Sequence, residues 1–257
     1  MKRAAFFLYG LASYLVFLAT FLYAIGFLGN VAVPKSVDSG RQGPLTTAIA
    51  VDVLLLGLFA VQHSGMARPG FKRWLTRWLP RPIERSTYVL LSSVALGLLF
   101  WLWQPVGGTI WTIDGIGRTL LYGLFAAGWL TVLGSTFLID HFDLFGLRQV
   151  YLYLRRRDDT PLRFRTPGPY AVVRHPLYVG WLSVMWATPT MTAAHLLFAG
   201  LTTAYILVAI DLEERDLVDH FGAAYRDYQE RVPMLVPRPR PRPRPTAATA
   251  SSYSEAA

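Results

Sequence analysis

Three polar runs interrupt an otherwise apolar sequence, and each holds side chains able to move protons or bind anions: QHSGMARPGFKRW at residues 62–74, DHFDLFGLRQ at 140–149, and RHPLYVG at 174–180, followed later by DLEERDL at 211–217. In the second run His141 is a natural general base, Asp143 can orient it or act itself, and Arg148 can lower the pKa of a thiol. The same three side chains would equally suit the end of a helix at lipid headgroups. His63, next to Gln62, is a weaker candidate base. In RHPLYVG, Pro176 suits the first turn of a helix, where its missing N–H costs nothing, so backbone donors there favour a carboxylate or phosphate. Arg174 and His175 precede that turn, and Gly180 removes bulk one turn inside. The alternative is a headgroup-anchored helix start, with Arg174 snorkelling and Tyr178 in the interfacial aromatic belt.

Glu213 and Glu214 bear on that choice. At the end of an apolar helix the dipole disfavours them, whereas a helix running on through EERDLVDHFG would make them an exposed surface. A hairpin that returned them to Arg174 and His175 would bring anion-binding and cation-binding groups to one pocket.

The elements that must position these runs are membrane helices. Of 257 residues 53% are hydrophobic and 16% charged, and the charge-free stretches exceed what core helices of a water-soluble domain need. Spans are expected over residues 4–28, 45–61, 87–103 and 119–139. Residues 177–210 as one helix would be roughly 50 Å long, against a hydrocarbon core of about 30 Å. Pro189 within Ala187-Thr188-Pro189-Thr190 breaks it into a helical hairpin, 177–188 and 191–210, whose first arm is short. The expected fold is all-α, a polytopic membrane helical bundle of five to six transmembrane segments with a C-terminal helical hairpin.

Lys and Arg crowd residues 68–85 and 148–174, and the alternate loops are poor in them, so the rich loops, both termini and all three polar runs are expected on the cytoplasmic side of a bacterial inner membrane. The net charge of +9 comes with no nucleic-acid motif and fits contact with anionic lipids. The absence of cysteine excludes disulfides, thiolate metal sites and a cysteine nucleophile, and no ligand constellation for a metal is evident. Asp52, inside a span, is a site candidate or a structural residue, and His195 reads as a packing histidine. Residues 1–236 form one membrane domain; 237–257, opening with PRPRPRPRP, read as a disordered Arg/Pro-rich cytoplasmic tail.

The series GPYAVVRHPLYVGWL, a hairpin, then EERDLVDHFGAAYRDYQERVP resembles the C-terminal signature of the isoprenylcysteine carboxyl methyltransferase superfamily. The resemblance implies S-adenosyl-L-methionine as methyl donor, bound by Tyr170, His175, Pro176, Leu177, Tyr178 and Glu213, with Glu214 adjacent. It further implies contacts from Leu162, Arg163, Phe164 and Arg165, from Gln149, and from Arg174 to the donor's carboxylate. Where the prenylcysteine enzymes carry a substrate arginine this chain has Ala209, so the reaction type is implied rather than that substrate. QHSGMARPGFKRW, ERSTYVLLSS, DHFDLFGLRQVY and TPTMTAAHLLFA extend the likeness over residues 60–236 to the nurim-like branch. That branch implies S-methylation of methanethiol to dimethyl sulfide. Other readings are methylation of another small or lipophilic thiol or a lipid, a non-enzymatic membrane protein, and a nicotinamide-dependent reductase. Thiols are mostly protonated near neutrality, free cysteine having a pKa of about 8.5, so a proton acceptor is required.

Overall fold

The computed structural model describes residues 1–40, 42–160 and 164–238. Leu162, Arg163 and all of the tail beyond Arg238 lie outside the described residues. Helix α1 spans Lys2–Gly29, α2 Leu45–Ala67, α3 Pro69–Leu75, α4 Arg81–Leu102 and α5 Gly115–Ile139. Short helices α6 (His141–Leu144) and α7 (Leu147–Leu154) follow, then α8 (Pro176–Trp186), α9 (Ala193–Phe221) and α10 (Ala223–Arg231). Among the described residues α1, α2, α4, α5 and α9 are long and apolar enough to cross a membrane. The protein is a multi-pass membrane protein built as a helical bundle. Leu54, Leu130 and Ile116 are 71–79% exposed on its flanks, where lipid rather than water is the solvent.

The C-terminal hairpin has unequal arms. Helix α8 has 11 residues and is about 16 Å long, too short to cross; α9 has 29 and reaches about 43 Å. The last turns of α9 therefore project beyond the hydrocarbon layer, carrying Glu213 and Glu214 with them. The helix does not stop at the glutamate pair, as one alternative had it, but runs to Phe221 before Gly222 turns the chain into α10.

Pro189 breaks the hairpin as expected, but the connection is more ordered than a loop. Thr190–Thr192 forms a strand, β2, antiparallel to β1 at Thr109–Thr112, and Ile113 N–H donates to the Pro189 carbonyl at 2.8 Å. The Thr192 hydroxyl then accepts the His195 N–H at 3.0 Å and caps α9. His195, fully buried, lies 2.9 Å through Nε2 from the Met185 carbonyl and ties the two arms together. Asp52 is also fully buried; it accepts the Gln104 N–H at 2.8 Å just past the end of α4, about 16 Å along α2 from His63.

Helix α8 is held by α5. Gly128 and Gly180 face each other so closely that a Cβ on Gly180 would stand 2.8 Å from the Gly128 carbonyl and the Val132 nitrogen. Where lipid removes the hydrophobic drive between helices, this backbone approach maximises dispersion contact. Trp129 of α5 packs edge-on against Trp181 of α8, ring centres 5.1 Å apart. Farther along the bundle Phe27, Phe100, Trp103 and Phe198 join α1, α4 and α9. Helix α7 docks under α4 through Gly146, whose φ of +83° and 2.7 Å clearance from Ser86 N leave no room for a side chain.

Gly180→Ala is expected to lower the thermal midpoint in detergent by several degrees, consistent with about 1–3 kcal/mol of overpacking. Gly200→Ala, where an added Cβ meets nothing within 4 Å, is the matched control; equal midpoints would mean that the α5–α8 contact is not tight.

Candidate active site

The hairpin returns α9 to the start of α8, and Glu214 is the group that meets it. Its Oε1 accepts from Arg174 Nε at 2.6 Å and His175 Nε2 at 2.9 Å; its Oε2 accepts from Arg174 Nη2 at 3.2 Å and Gln229 Nε2 at 2.8 Å. Four donors fill the four lone-pair positions of one carboxylate. Arg174 Nη1 donates to the Gln229 and Val232 carbonyls, at 3.1 and 2.5 Å, so the guanidinium is nearly saturated by the protein itself. Its side chain is 11% exposed and that of Glu214 14%. Backbone pairing completes the latch: Arg174 N–H donates to the Pro233 carbonyl and His175 N–H to that of Met234. The hairpin was expected to stand Arg174 and His175 near Glu213; the direct bonds go to its neighbour Glu214.

Glu213 lies one residue earlier, about 100° around the helix. Its Oε2 accepts from the Tyr178 hydroxyl at 3.0 Å, and no other hydrogen bond reaches it among the described residues. The Tyr170 hydroxyl is buried with no partner, although its carbonyl accepts from Tyr228. Burial first, then the Glu213 charge, pushes the Tyr170 phenol well above its usual pKa, so it stays a proton donor. Ser135 Oγ on α5 is its near neighbour, and Gln149 Oε1 on α7 is likewise buried without a partner. Orphaned polar atoms of this kind call for a ligand or water. Phe164 is pinned by the rings of Phe221, Tyr225 and Tyr228, while Arg165 is exposed. Pro176 and Leu177 form the first turn of α8.

Around α6, Asp143 is a hub. Its carboxylate pairs with Arg85 of α4 and Arg148 of α7 at 3.0 Å each and accepts from Gln149 Nε2 at 2.9 Å. Arg148 also bridges to Asp159 at 2.6 Å and to Thr160. His141 points elsewhere. It is 4% exposed, stacked on Phe137, with Thr136 Oγ1 2.8 Å from Nδ1 and Tyr14 Oη 2.8 Å from Nε2. The single Thr136 proton goes to the Leu133 carbonyl, so Nδ1 carries the hydrogen and Nε2 accepts from Tyr14 of α1. Both ring nitrogens are thus engaged in the α1–α5 contact, and burial lowers the ring's pKa.

A further group was not read as a unit. Tyr88 Oη lies 3.0 Å from Nε2 and 3.1 Å from Nδ1 of His63, and Ser92 Oγ 3.2 Å from Nδ1. The Tyr205 hydroxyl lies 3.0 Å from that of Ser64, and Arg68 ties the end of α2 to α9 through Asp216 at 2.9 Å. Tyr205, Ala209 and Glu213, spaced by four, share one face of α9. That spacing was the available signal, hidden because Tyr205 reads as one more aromatic in an apolar run.

A methanethiol S-methyltransferase of Crocosphaera subtropica is 59% identical to the chain over 238 residues, 92% of this chain and 93% of its own length. One from Mycobacterium tuberculosis is 56% identical, covering 92% and 98%. Nurim of Rattus norvegicus is 32% identical over 183 residues, 67% of this chain and 69% of its own. No protein-family model and no solved structure matches the chain.

The two glutamates should separate in experiment. Glu214→Ala strands Arg174 and is expected to cost about 3 kcal/mol, read as a lowered thermal midpoint and rapid proteolysis within residues 222–236. Glu213→Gln is expected to leave both near wild type. Equal destabilisation by the two would contradict the latch.

Proposed function

Because the chain belongs to the methanethiol S-methyltransferase family, with nurim as a more distant relative, we propose that this enzyme methylates methanethiol to dimethyl sulfide with S-adenosyl-L-methionine as donor. The observation that carries the proposal is a carboxylate, Glu213, that accepts from Tyr178 alone among the described residues, where the hairpin returns α9 to the first turn of α8. The residues fit the donor. Glu213 offers an acceptor for its hydroxyls or amine and a negative charge opposite its sulfonium. Tyr170, Ser135 and Gln149 offer polar atoms that lack partners, and the first turn of α8 at Leu177 and Tyr178 offers backbone donors for a carboxylate. Tyr178 and its aromatic neighbours offer ring faces for a cation.

When bound, S-adenosylmethionine supplies an electrophilic methyl carbon on its sulfonium sulfur. The chain's own residues then have distinct duties. Arg174 and His175, committed to Glu214, act as positioning residues that fix where α8 begins and where Glu213 points. Phe164, anchored on Tyr225 and Tyr228 of α10, holds in place the segment that includes Arg165. Asp143 and Arg148 brace α4 and α7 and keep Gln149 in place. His141 braces α1 against α5 with its proton-accepting nitrogen already used by Tyr14. Ala209 supports the choice of a small apolar acceptor, since it offers no charged handle one turn before Glu213.

The protein faces the cytoplasm of a bacterial inner membrane with its site and both termini in this reading. Arg68, Lys72, Arg73, Arg85 and Arg148 gather at the end that carries Glu213, beside Trp74 and Trp78, which are 51% and 82% exposed and suit an interfacial belt. Methanethiol, being apolar, reaches the pocket from the bilayer, and the water-soluble donor from the cytoplasm.

Cells expressing the chain and supplied with methanethiol are expected to release dimethyl sulfide, measured by headspace gas chromatography; no release above an empty-vector control would refute the activity. Glu213→Gln is expected to weaken S-adenosylmethionine at least tenfold by calorimetry on purified protein, and wild-type affinity would remove Glu213 from the donor site.

A further inference from the structure

The reaction proposed above needs a proton acceptor for the thiol, and resting on that reading, we infer that the acceptor is the His63–Tyr88 pair, with the thiol sulfur held between Tyr88, Tyr205 and Ala209. Tyr88 Oη is within hydrogen-bond distance of both His63 nitrogens. The ring's polar contacts are hydroxyls, those of Tyr88 and Ser92, and it stacks on Phe59; among the described residues no carboxylate hydrogen-bonds to it. Nothing therefore holds a second proton on the imidazole, and its neutral, accepting form is favoured. Phe59 stacks on His63 and meets Tyr205 edge-on, and the Tyr205 hydroxyl lies 3.0 Å from that of Ser64, which places the pair alongside the face of α9 that carries Glu213.

A His–Tyr–Ser cluster between α2 and α4 could be no more than interhelical glue. Glue closes its hydrogen bonds, whereas Gln62 Oε1 in the same cluster is buried with no partner. Tyr88, Tyr205 and His63 also keep partial exposure, so the cluster is not sealed from its surroundings. On α9 the side chain between Tyr205 and Glu213 along this face is only a methyl, Ala209, which offers no charged handle for a lipid carboxylate.

The step balances. The thiol S–H bond breaks and its proton passes to Tyr88 Oη as the Tyr88 proton passes to a His63 nitrogen. The electron pair left on sulfur forms the new S–CH3 bond while the sulfonium–methyl bond breaks and its electrons stay with the departing thioether. One positive charge is lost at the sulfonium and one appears on the imidazolium, so the low-dielectric pocket holds the same net charge before and after. The imidazolium then releases its proton to water at the cytoplasmic end.

The test compares methanethiol with methaneselenol, a near-isosteric nucleophile that is largely ionised at neutral pH and needs no base. For His63→Gln in full-length protein, turnover of methanethiol is expected to fall by about 10²-fold or more, while methaneselenol turnover and S-adenosylmethionine affinity stay within a few-fold of wild type. Equal loss with both nucleophiles would assign His63 a structural role and overturn the inference, as would undiminished methanethiol turnover. Tyr88→Phe, which keeps the ring's packing, carries the same comparison should His63→Gln fail to fold. Wild-type protein that binds the donor yet methylates methaneselenol and not methanethiol would overturn the relay; wild-type protein that binds no donor would overturn the proposed function beneath it.

Discussion

A carboxylate out of water must have its lone pairs filled, and Glu214 fills all four from Arg174, His175 and Gln229. The rest of the site depends on that saturation. An α8 arm too short to cross the membrane and an α9 arm long enough to overshoot it have no reason of their own to end at one depth. Glu214 fixes the register between them, and the pairing of Arg174 and His175 with Pro233 and Met234 brings the chain after α10 back under the same point. Because the latch uses Glu214 completely, the adjacent Glu213 is left with one hydrogen bond and spare capacity. Two neighbouring glutamates thus divide into one that builds and one that can bind.

The remainder of the hairpin is secured by different physics. The backbones of α5 and α8 meet at Gly128 and Gly180, a contact that only the absence of side chains permits. The short β1–β2 pairing and the His195 link to Met185 stop the turn from fraying. With α8 fixed at both ends, Tyr178 has little freedom to swing away from Glu213, which is what a preorganised site requires.

The architecture was legible where a single residue type forces it. Pro189 dictates a break, charge-free length dictates membrane spans, and the return of an acidic pair to Arg-His-Pro follows from the hairpin. What remained hidden depended on rotation and on distant partners. Whether Glu213 or Glu214 meets Arg174 is a question of about 100° of helix phase, which no local pattern sets when the whole helix is apolar on every side. His141 has the right chemistry by type, but Tyr14, far away on α1, takes its accepting nitrogen. The threonines at 109, 112, 190 and 192 signal no strand until the two segments are seen side by side.

The same dependence on phase explains how one scaffold can keep a reaction and change its substrate. Once Glu213 is fixed by its neighbour's latch, every fourth residue back along α9 faces the same space: first Ala209, then Tyr205. An arginine at the first of these positions would put a cation where a lipid carboxylate could meet it; alanine leaves the proposed substrate space without a charge. A small thiol loses little by entering such a space, because it has almost no polar surface to desolvate, and its conjugate anion gains from having no competing water. On the proposed reading, the setting that admits the thiol therefore also demands that its proton be taken within the protein, by polar groups such as the His63–Tyr88 pair.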